Sequence, residues 1–332
     1  MPGKIRWALI GCGDIAEKAT APAINADPNS VLHAVVRRSR EKVQDFAARH
    51  KSRTFHCQIE DALRDPEVDA VYVATPVALH KEQTIAACNA GKHVLCEKPM
   101  AMNAAECADM VRAARANGVT LGVSYYRRLY PKVVRVKELL AQGVIGKPQV
   151  VRIDLRGWYA PAPDDPKRWR ISKAESGGGV LMDVGSHRLD IICYLLGEPQ
   201  RVCGLTDRLV MKYDVPDTET LLCRMQSGVH VECSCYWNMP FGADEMEVHG
   251  TEGALIATPF DGDVLRVRTK NGEEEIATPK ADNVHLPLIA SFAARVGSGQ
   301  PPEFDGTDGL QATRIIDGCY RSAASGSWIE DL

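Results

Sequence analysis

No stretch of this chain stays apolar for the roughly 18 residues that a membrane-spanning helix needs. Nor is there an excess of positive charge: 40 Lys and Arg stand against 43 Asp and Glu, for a net charge of −3. That balance argues against a protein that binds nucleic acid by neutralising phosphates. The 11 cysteines include no CxxC pair, which removes the usual zinc spacing. The N-terminus, "MPGKIRWALIGCG", runs straight into a strand-like segment, so no signal peptide is expected. Scattered cysteines then fit buried thiols in a reducing, cytoplasmic setting. Cys233 and Cys235, which flank Ser234, are expected on one side of a sheet. There is no internal repeat and no low-complexity tract. A length of 332 residues leaves room for two domains.

Along the first third, short apolar runs alternate with helical patterns. The runs are "IRWALIGCG", "VLHAVVRRS", "DAVYVATP", "HVLCEKP" and "TLGVSYYRR", and helices are expected at 14–26, 40–50, 79–90 and 103–117. Such alternation means a parallel sheet with right-handed crossovers. After residue 123 the pattern changes. "YPKVVRVKELLAQG" reads as a helix closed by Gly143. Long alternating stretches follow: "PQVVRIDLRGW", "QRVCGLTDRLVMKY", "ETLLCRMQSGVHVECSCYW", "DEMEVHGTEGALIAT" and "DVLRVRTKNGEEEIAT". Asn271-Gly272 signals a hairpin, and "HGTEG" a second tight turn. The expected fold class is therefore α/β followed by α+β. A dinucleotide-binding domain over 1–123 precedes a domain over 124–332 with a large, mostly antiparallel sheet. Further helices are expected at 179–196, 284–297 and 308–325. The Pro/Asp-rich segment 160–169 reads as a functional loop.

Gly11-Cys12-Gly13-Asp14-Ile15-Ala16 fits G-x-G-x-x-G/A between a strand and a helix. Gly11 permits the tight turn, Gly13 lets the backbone approach a pyrophosphate, and Ala16 keeps helix and strand close. The amides of Asp14 and Ile15 then open the helix toward the phosphates. At the end of the second strand, where an acid would hold the ribose hydroxyls of NAD, the chain has Arg37, Arg38 and Ser39, with Lys42 one turn on. Guanidinium donors suit a 2′-phosphate, which favours NADP over NAD.

Here the sequence resembles the Gfo/Idh/MocA oxidoreductases. The likeness is carried by the Gly-rich turn, "ATPVALH" (74–80), "EKP" (97–99), "GGGVLMDVGSHRLD" (177–190) and "HGTEG" (249–253). It implies a Rossmann domain and a C-terminal sheet domain that commonly forms homodimers or homotetramers. It also implies a nicotinamide cofactor, no metal, and hydride transfer at a secondary carbinol or carbonyl of a sugar, polyol or related compound.

Hydride transfer from a carbinol requires the C–H to face the nicotinamide and the hydroxyl proton to leave through a base. Lys98 ends an apolar strand, where open α/β sheets bind ligands, and its ammonium suits a developing alkoxide. Glu97 is read as its cofactor-side neighbour and Pro99 as fixing the turn. Asp183 and His187 are four apart, hence on one helix face. His187 is the proton acceptor or donor, Asp183 holds the substrate hydroxyl, and Asp190 either orients His187 or is a plain helix-face acid. Residues 176–179 are expected to bring the helix start close to ligand, and Gly185 to leave room for substrate or cofactor. The resemblance implies the same catalytic set of Lys98, Asp183 and His187, and whether Lys98 or His187 is the final acceptor stays open. It further implies cofactor contacts at Thr75, Pro76 and His80. Tyr126, Arg127 and Arg128 stand where the family carries a polar and two basic residues. Trp169 and Arg170 stand where some NADP-dependent sugar reductases touch cofactor and substrate. Tyr159 and His285 are further candidates for the pocket wall. Two other readings keep the fold: a dinucleotide-binding regulator without turnover, and an NAD-dependent glycosidase. A regulator would be free to lose Lys98 or His187, both of which are present. The basic turn at 37–39 argues against tightly held NAD.

Overall fold

The computed structural model describes residues 3–332, which form two compact units. The first runs up to Tyr126 and is completed by Ala281–Leu310; the second comprises Arg127–Lys280 and Gln311–Leu332. This differs from a single division at 123. The segment after Ala281 belongs to the first unit because that unit's edge strand needs cover. Val123 N–H donates to the Phe304 carbonyl (2.8 Å), Gly122 bridges Asp305, and Phe292 packs on Trp7 at 5.4 Å.

In the first unit six parallel strands run in the order β3-β2-β1-β4-β5-β6. They are β1 (Ile5–Ile10), β2 (Ser30–Val36), β3 (Thr54–His56), β4 (Ala70–Val73), β5 (His93–Cys96) and β6 (Leu121–Val123). The order reverses between β1 and β4, so their carboxyl ends open a crevice. β1, β2, β4 and β5 read as continuous apolar runs because helices cover both faces of a parallel sheet. β3 and the helix Ile59–Arg64 escaped the sequence reading, since "TFH" is too short and too polar to show a period. The first helix is not uniform either: a π turn at Ala16–Thr20 leads into Ala21–Ala26.

The second unit holds eight strands in the order β14-β13-β12-β11-β7-β10-β9-β8. They are β7 (Pro148–Trp158), β8 (Pro199–Asp207), β9 (Thr218–Met225), β10 (His230–Tyr236), β11 (Asn238–Gly250), β12 (Gly253–Ala257), β13 (Val264–Thr269) and β14 (Gly272–Ala277). All neighbours are antiparallel except β10 and β7. Two expectations shift. "QRVCGLTDRLVMKY" stops being a strand at Asp207, because Asp217 accepts the N–H groups of Leu209, Val210 and Met211 at 2.9, 2.9 and 2.6 Å and folds that stretch into a loop. The hairpin turn lies at Lys270–Asn271 rather than Asn271-Gly272, since Thr269 pairs with Gly272. Cys233 and Cys235 do share the buried face of β10, with Sγ atoms 3.8 Å apart. Among the described residues no helix is long and apolar enough to cross a membrane.

Candidate active site

The first unit presents its candidate residues at the carboxyl ends of the parallel strands. A groove of about 600 Å³ runs along them, lined in part by Gly11, Gly13, Arg38, Ser39, Thr75 and Pro76. Gly11 has φ +94°, and a Cβ there would lie 2.6 Å from the Ala74 carbonyl oxygen, so both backbone conformation and close approach require glycine. A Cβ on Gly13 would meet nothing within 4 Å, so this turn faces open space. The helix's first bond is from Glu17 N–H to the Gly13 carbonyl, at 2.9 Å. The turn ahead of Glu17 is thus the start of the helix, where backbone N–H groups point outward. The Asp14 carboxylate is turned to Lys18 (2.6 Å). An open turn at a helix start, on a groove within the usual size of small-molecule sites, fits the diphosphate of a dinucleotide.

The basic end of β2 divides in two. Arg37 is half-buried, and its Nη1 donates to the Cys12 carbonyl at 2.9 Å. It braces the Gly-rich turn, so its guanidinium is partly committed. Arg38, Ser39 and Lys42 are exposed on the groove. Thr75 also faces the groove and donates to Gln83 Oε1 (2.7 Å). His80 does not line it. The ring is 1% exposed, with Nδ1 3.0 Å from the Pro99 carbonyl and Nε2 2.8 Å from the Thr75 carbonyl. Burial lowers its pKa. Its role is to tie the loop after β4 to the turn after β5, not to touch a ligand through a ring nitrogen.

That turn contains Lys98. Lys98 is half-buried and is followed by a cis bond to Pro99. Glu97 is buried beneath it. Glu97 accepts from Tyr72 Oη (2.6 Å), Ser124 Oγ (3.3 Å) and the Lys98 N–H (3.1 Å). Tyr72 Oη also contacts Ser124 Oγ at 2.9 Å and His285 Nδ1 at 3.4 Å. Burial, and then the Glu97 charge, push the Tyr72 phenol well up, so it stays a donor to the carboxylate. His285 is fully buried, against Tyr126 at 4.8 Å, and is a core residue rather than a pocket wall. Sequence reasoning missed Tyr72, Ser124 and Thr20, which also reaches His285 Nδ1 at 3.4 Å. The available signal was a tyrosine in an otherwise apolar parallel strand, since a buried phenol needs a partner.

In the second unit, a π turn at Leu181–Gly185 leads into the helix Ser186–Leu196. Both Asp183 and His187 are buried, at 9% and 2% exposure. Such π turns recur at functional positions. Arg170 Nη1 lies 3.3 Å from Asp183 Oδ2, and the Arg170 guanidinium carbon is 5.8 Å from the Trp169 ring centre. Tyr159 joins this group. Burial raises its phenol, Arg170 pulls it down, and Asp183 raises it again. Its Oη donates to the Lys167 carbonyl (3.1 Å), which helps order the 160–169 loop. Asp183, Arg170, Trp169 and Tyr159 are thus brought together within one unit, whereas Lys98 belongs to the other.

Three expectations change here. Asp190 is gripped by Arg128, Nη2 to Oδ1 at 2.6 Å and Nε to Oδ2 at 2.9 Å, with both side chains at most 2% exposed. Arg128 is consequently a structural residue, and Arg127 pairs with Asp261 at 2.6 Å. Gly185 does not make room for a ligand, because a Cβ would lie 2.9 Å from Leu181 and 3.2 Å from Cys235. Gly178 and Gly179 are likewise crowded by protein, with Tyr320 and Pro216 each 2.1 Å from the position of a Cβ.

Comparison with known proteins identifies the fold's lineage. An oxidoreductase-family model for the NAD-binding Rossmann fold matches residues 5–125, and a GFO/IDH/MocA C-terminal domain model matches 133–256. A 1,5-anhydro-D-fructose reductase of Ensifer adhaerens is 34% identical over 331 residues, covering 98% of each chain. The chain belongs to the Gfo/Idh/MocA oxidoreductase family. The aldose-aldose oxidoreductase of Caulobacter crescentus, solved with glycerol, has a TM-score of 0.89 at 29% identity, covering 98% of this chain and 99% of that one. A levoglucosan dehydrogenase solved with NADH and L-sorbose superposes with a TM-score of 0.92 at 24% identity over 99% of both chains, a likeness of fold. As a member of the family, the chain is an enzyme with a nicotinamide-dinucleotide-binding Rossmann domain that acts on CH–OH groups.

Proposed function

We propose that this enzyme is an NADP-linked reductase or dehydrogenase. It transfers hydride to or from a secondary carbinol or carbonyl of a sugar, polyol or sugar acid. The reading is carried by the edge of the parallel sheet, which offers an open Gly-rich turn, a basic β2 end without an acid, and Lys98 on a Glu97 footing. The bound nicotinamide supplies or accepts the hydride. Lys98 stabilises the substrate oxygen as it gains or sheds negative charge. Asp183, oriented by Arg170, holds the substrate hydroxyl, and His187 takes or returns its proton. Trp169 and Tyr159 offer aromatic faces to sugar C–H surfaces.

The test is a panel of sugars and polyols, with 1,5-anhydro-D-fructose first, assayed with NADPH and NADH. Turnover is expected, with NADPH preferred. Absence of redox turnover with every member and both coenzymes would overturn the reading. Arg38→Ala is expected to weaken NADPH binding by about tenfold, the loss of one charge-assisted contact to phosphate, with NADH affinity unchanged. Fluorescence titration with both coenzymes checks this, and an equal effect on both would reject the 2′-phosphate assignment. Arg37 is a poorer probe because it also braces Cys12.

The outward face of the second sheet carries Leu205 at 70% and Leu222 at 46% exposure, beside the Arg152–Glu232 pair. This mixed face supports assembly as a homodimer or homotetramer. Sedimentation should give a mass of two or four times 36.3 kDa, and a monomer at micromolar concentration would contradict it.

A further inference from the structure

The helix that presents Asp183 and His187 begins on two side chains, one buried and one half-buried, to which the reaction gives no role. Glu219, on β9, is fully buried, and its Oε2 accepts the Leu181 N–H at 2.6 Å. Tyr320 Oη, from the helix Gly306–Ser325, accepts the Gly179 N–H at 3.3 Å and donates its own proton to Glu219. Leu181 and Gly179 lie where backbone N–H groups of a helix lack intrahelical acceptors. The two side chains satisfy those donors and place negative charge at the positive end of the helix. The seat is close-fitting. A Cβ on Gly178 would fall 2.1 Å from Tyr320 Oη, and one on Gly179 would fall 2.1 Å from the Pro216 carbonyl and 2.9 Å from Glu219 Oε2. The run of glycines therefore serves this seat. Asp183 follows directly, with its N–H bonded to the Gly179 carbonyl at 3.1 Å.

We infer that Glu219, backed by Tyr320, is a positioning residue that fixes the first turn of this helix and thereby the placement of Asp183 and His187. The inference rests on the proposed role of those two residues. The Leu181 amide is directed at Oε2, whereas Oε1 is buried without a hydrogen-bond partner, so a charge on this carboxyl is only partly compensated. Burial opposes ionisation and pushes the carboxyl up to about 7, with the Leu181 amide and Tyr320 pulling down and Asp217 pushing further up. The other titratable groups around it are Cys235 on β10, directly across from it, and Cys319 beside Tyr320; the Cys233 contact and then burial raise the first thiol, burial raises the second, and neither bears charge near neutrality. Proton uptake by Glu219 thus falls in an experimentally open window, and the seat loosens as pH rises through it, since an ionised carboxylate gains hydration when the seat opens.

Amide hydrogen exchange of residues 177–190, corrected for intrinsic rate, measures the seat without any substrate. In the native chain, protection should rise as pH falls from about 8 to about 6, because Glu219 takes up its proton in the closed seat while the opened, solvated carboxyl stays ionised. Glu219→Gln keeps one acceptor for Leu181 and is neutral at every pH, so its protection should stay near that of the native chain at about pH 6, without that pH dependence. Glu219→Ala should lose the protection, and its kcat on the best substrate of the panel should drop about tenfold, as expected for a displaced catalytic group. KM and coenzyme affinity should stay within twofold. The inference is overturned if Glu219→Gln keeps the native pH dependence of exchange, or if folded Glu219→Ala exchanges and turns over like the native enzyme. If Glu219→Ala does not fold, the Glu219→Gln pH series decides alone. Asp183→Asn and His187→Ala with undiminished kcat would instead refute the catalytic reading and leave the exchange result standing.

Discussion

Lys98→Ala is expected to lower kcat by about 10²–10³-fold, the usual loss when a preorganised charge at a developing oxyanion is removed. Coenzyme affinity should change little, because Lys98 does not line the groove along the Gly-rich turn and the end of β2 that is proposed for the dinucleotide. His187→Ala should fall by a similar or larger factor, about 10²–10⁴, if it handles the proton. The two variants separate the roles. Loss of the acidic limb of the kcat pH profile in His187→Ala but not in Lys98→Ala would identify the imidazole as the proton acceptor, and the converse would identify the ammonium. Steady-state kinetics with coenzyme titration by fluorescence checks all of this. Wild-type turnover in either variant would remove that residue from the proposed set.

Asp190→Ala should destabilise the protein by about 3–5 kcal/mol, because it strands the Arg128 guanidinium in a site where both partners are at most 2% exposed. The pair is bidentate and shielded, and the Tyr194 ring lies 4.8 Å from the Arg128 guanidinium carbon. Removing both charges with Arg128→Met and Asp190→Leu should recover much of the loss, since apolar replacements of a buried pair are often tolerated. Urea unfolding followed by circular dichroism measures both. A stable Asp190→Ala whose kcat pH profile is shifted would instead mean that the acid serves His187.

The sequence carried the fold far because its cues are local. Apolar runs that end in glycine, helical patterns between them, and long alternating stretches after residue 123 each reflect a period set by the element itself. The Gly11–Ala16 turn and the Glu97-Lys98-Pro99 step were visible for the same reason, being contiguous and dictated by backbone geometry. The reading weakened where a side chain's partner is remote in the chain. Arg37, Arg38, Ser39 and Lys42 form one basic cluster in the sequence, yet Arg37 turns back to Cys12. His80 turns both ring nitrogens to backbone carbonyls, those of Thr75 and Pro99. Gly178 and Gly179 read as bringing the helix start close to ligand and Gly185 as leaving room for it, and it is Tyr320, Pro216, Leu181 and Cys235 that need the space.

From its order of residues alone, the chain fixed a parallel dinucleotide-binding sheet, an antiparallel sheet after it, and the identities of the residues offered for chemistry. Those follow from backbone periodicity and from side-chain type. Only the tertiary structure decided which polar groups neutralise one another. Arg128 takes Asp190, Tyr72 supports Glu97 and Glu219 receives the start of a helix, because burial makes an unpaired polar group costly and the nearest compensating partner is set by packing, not by sequence distance.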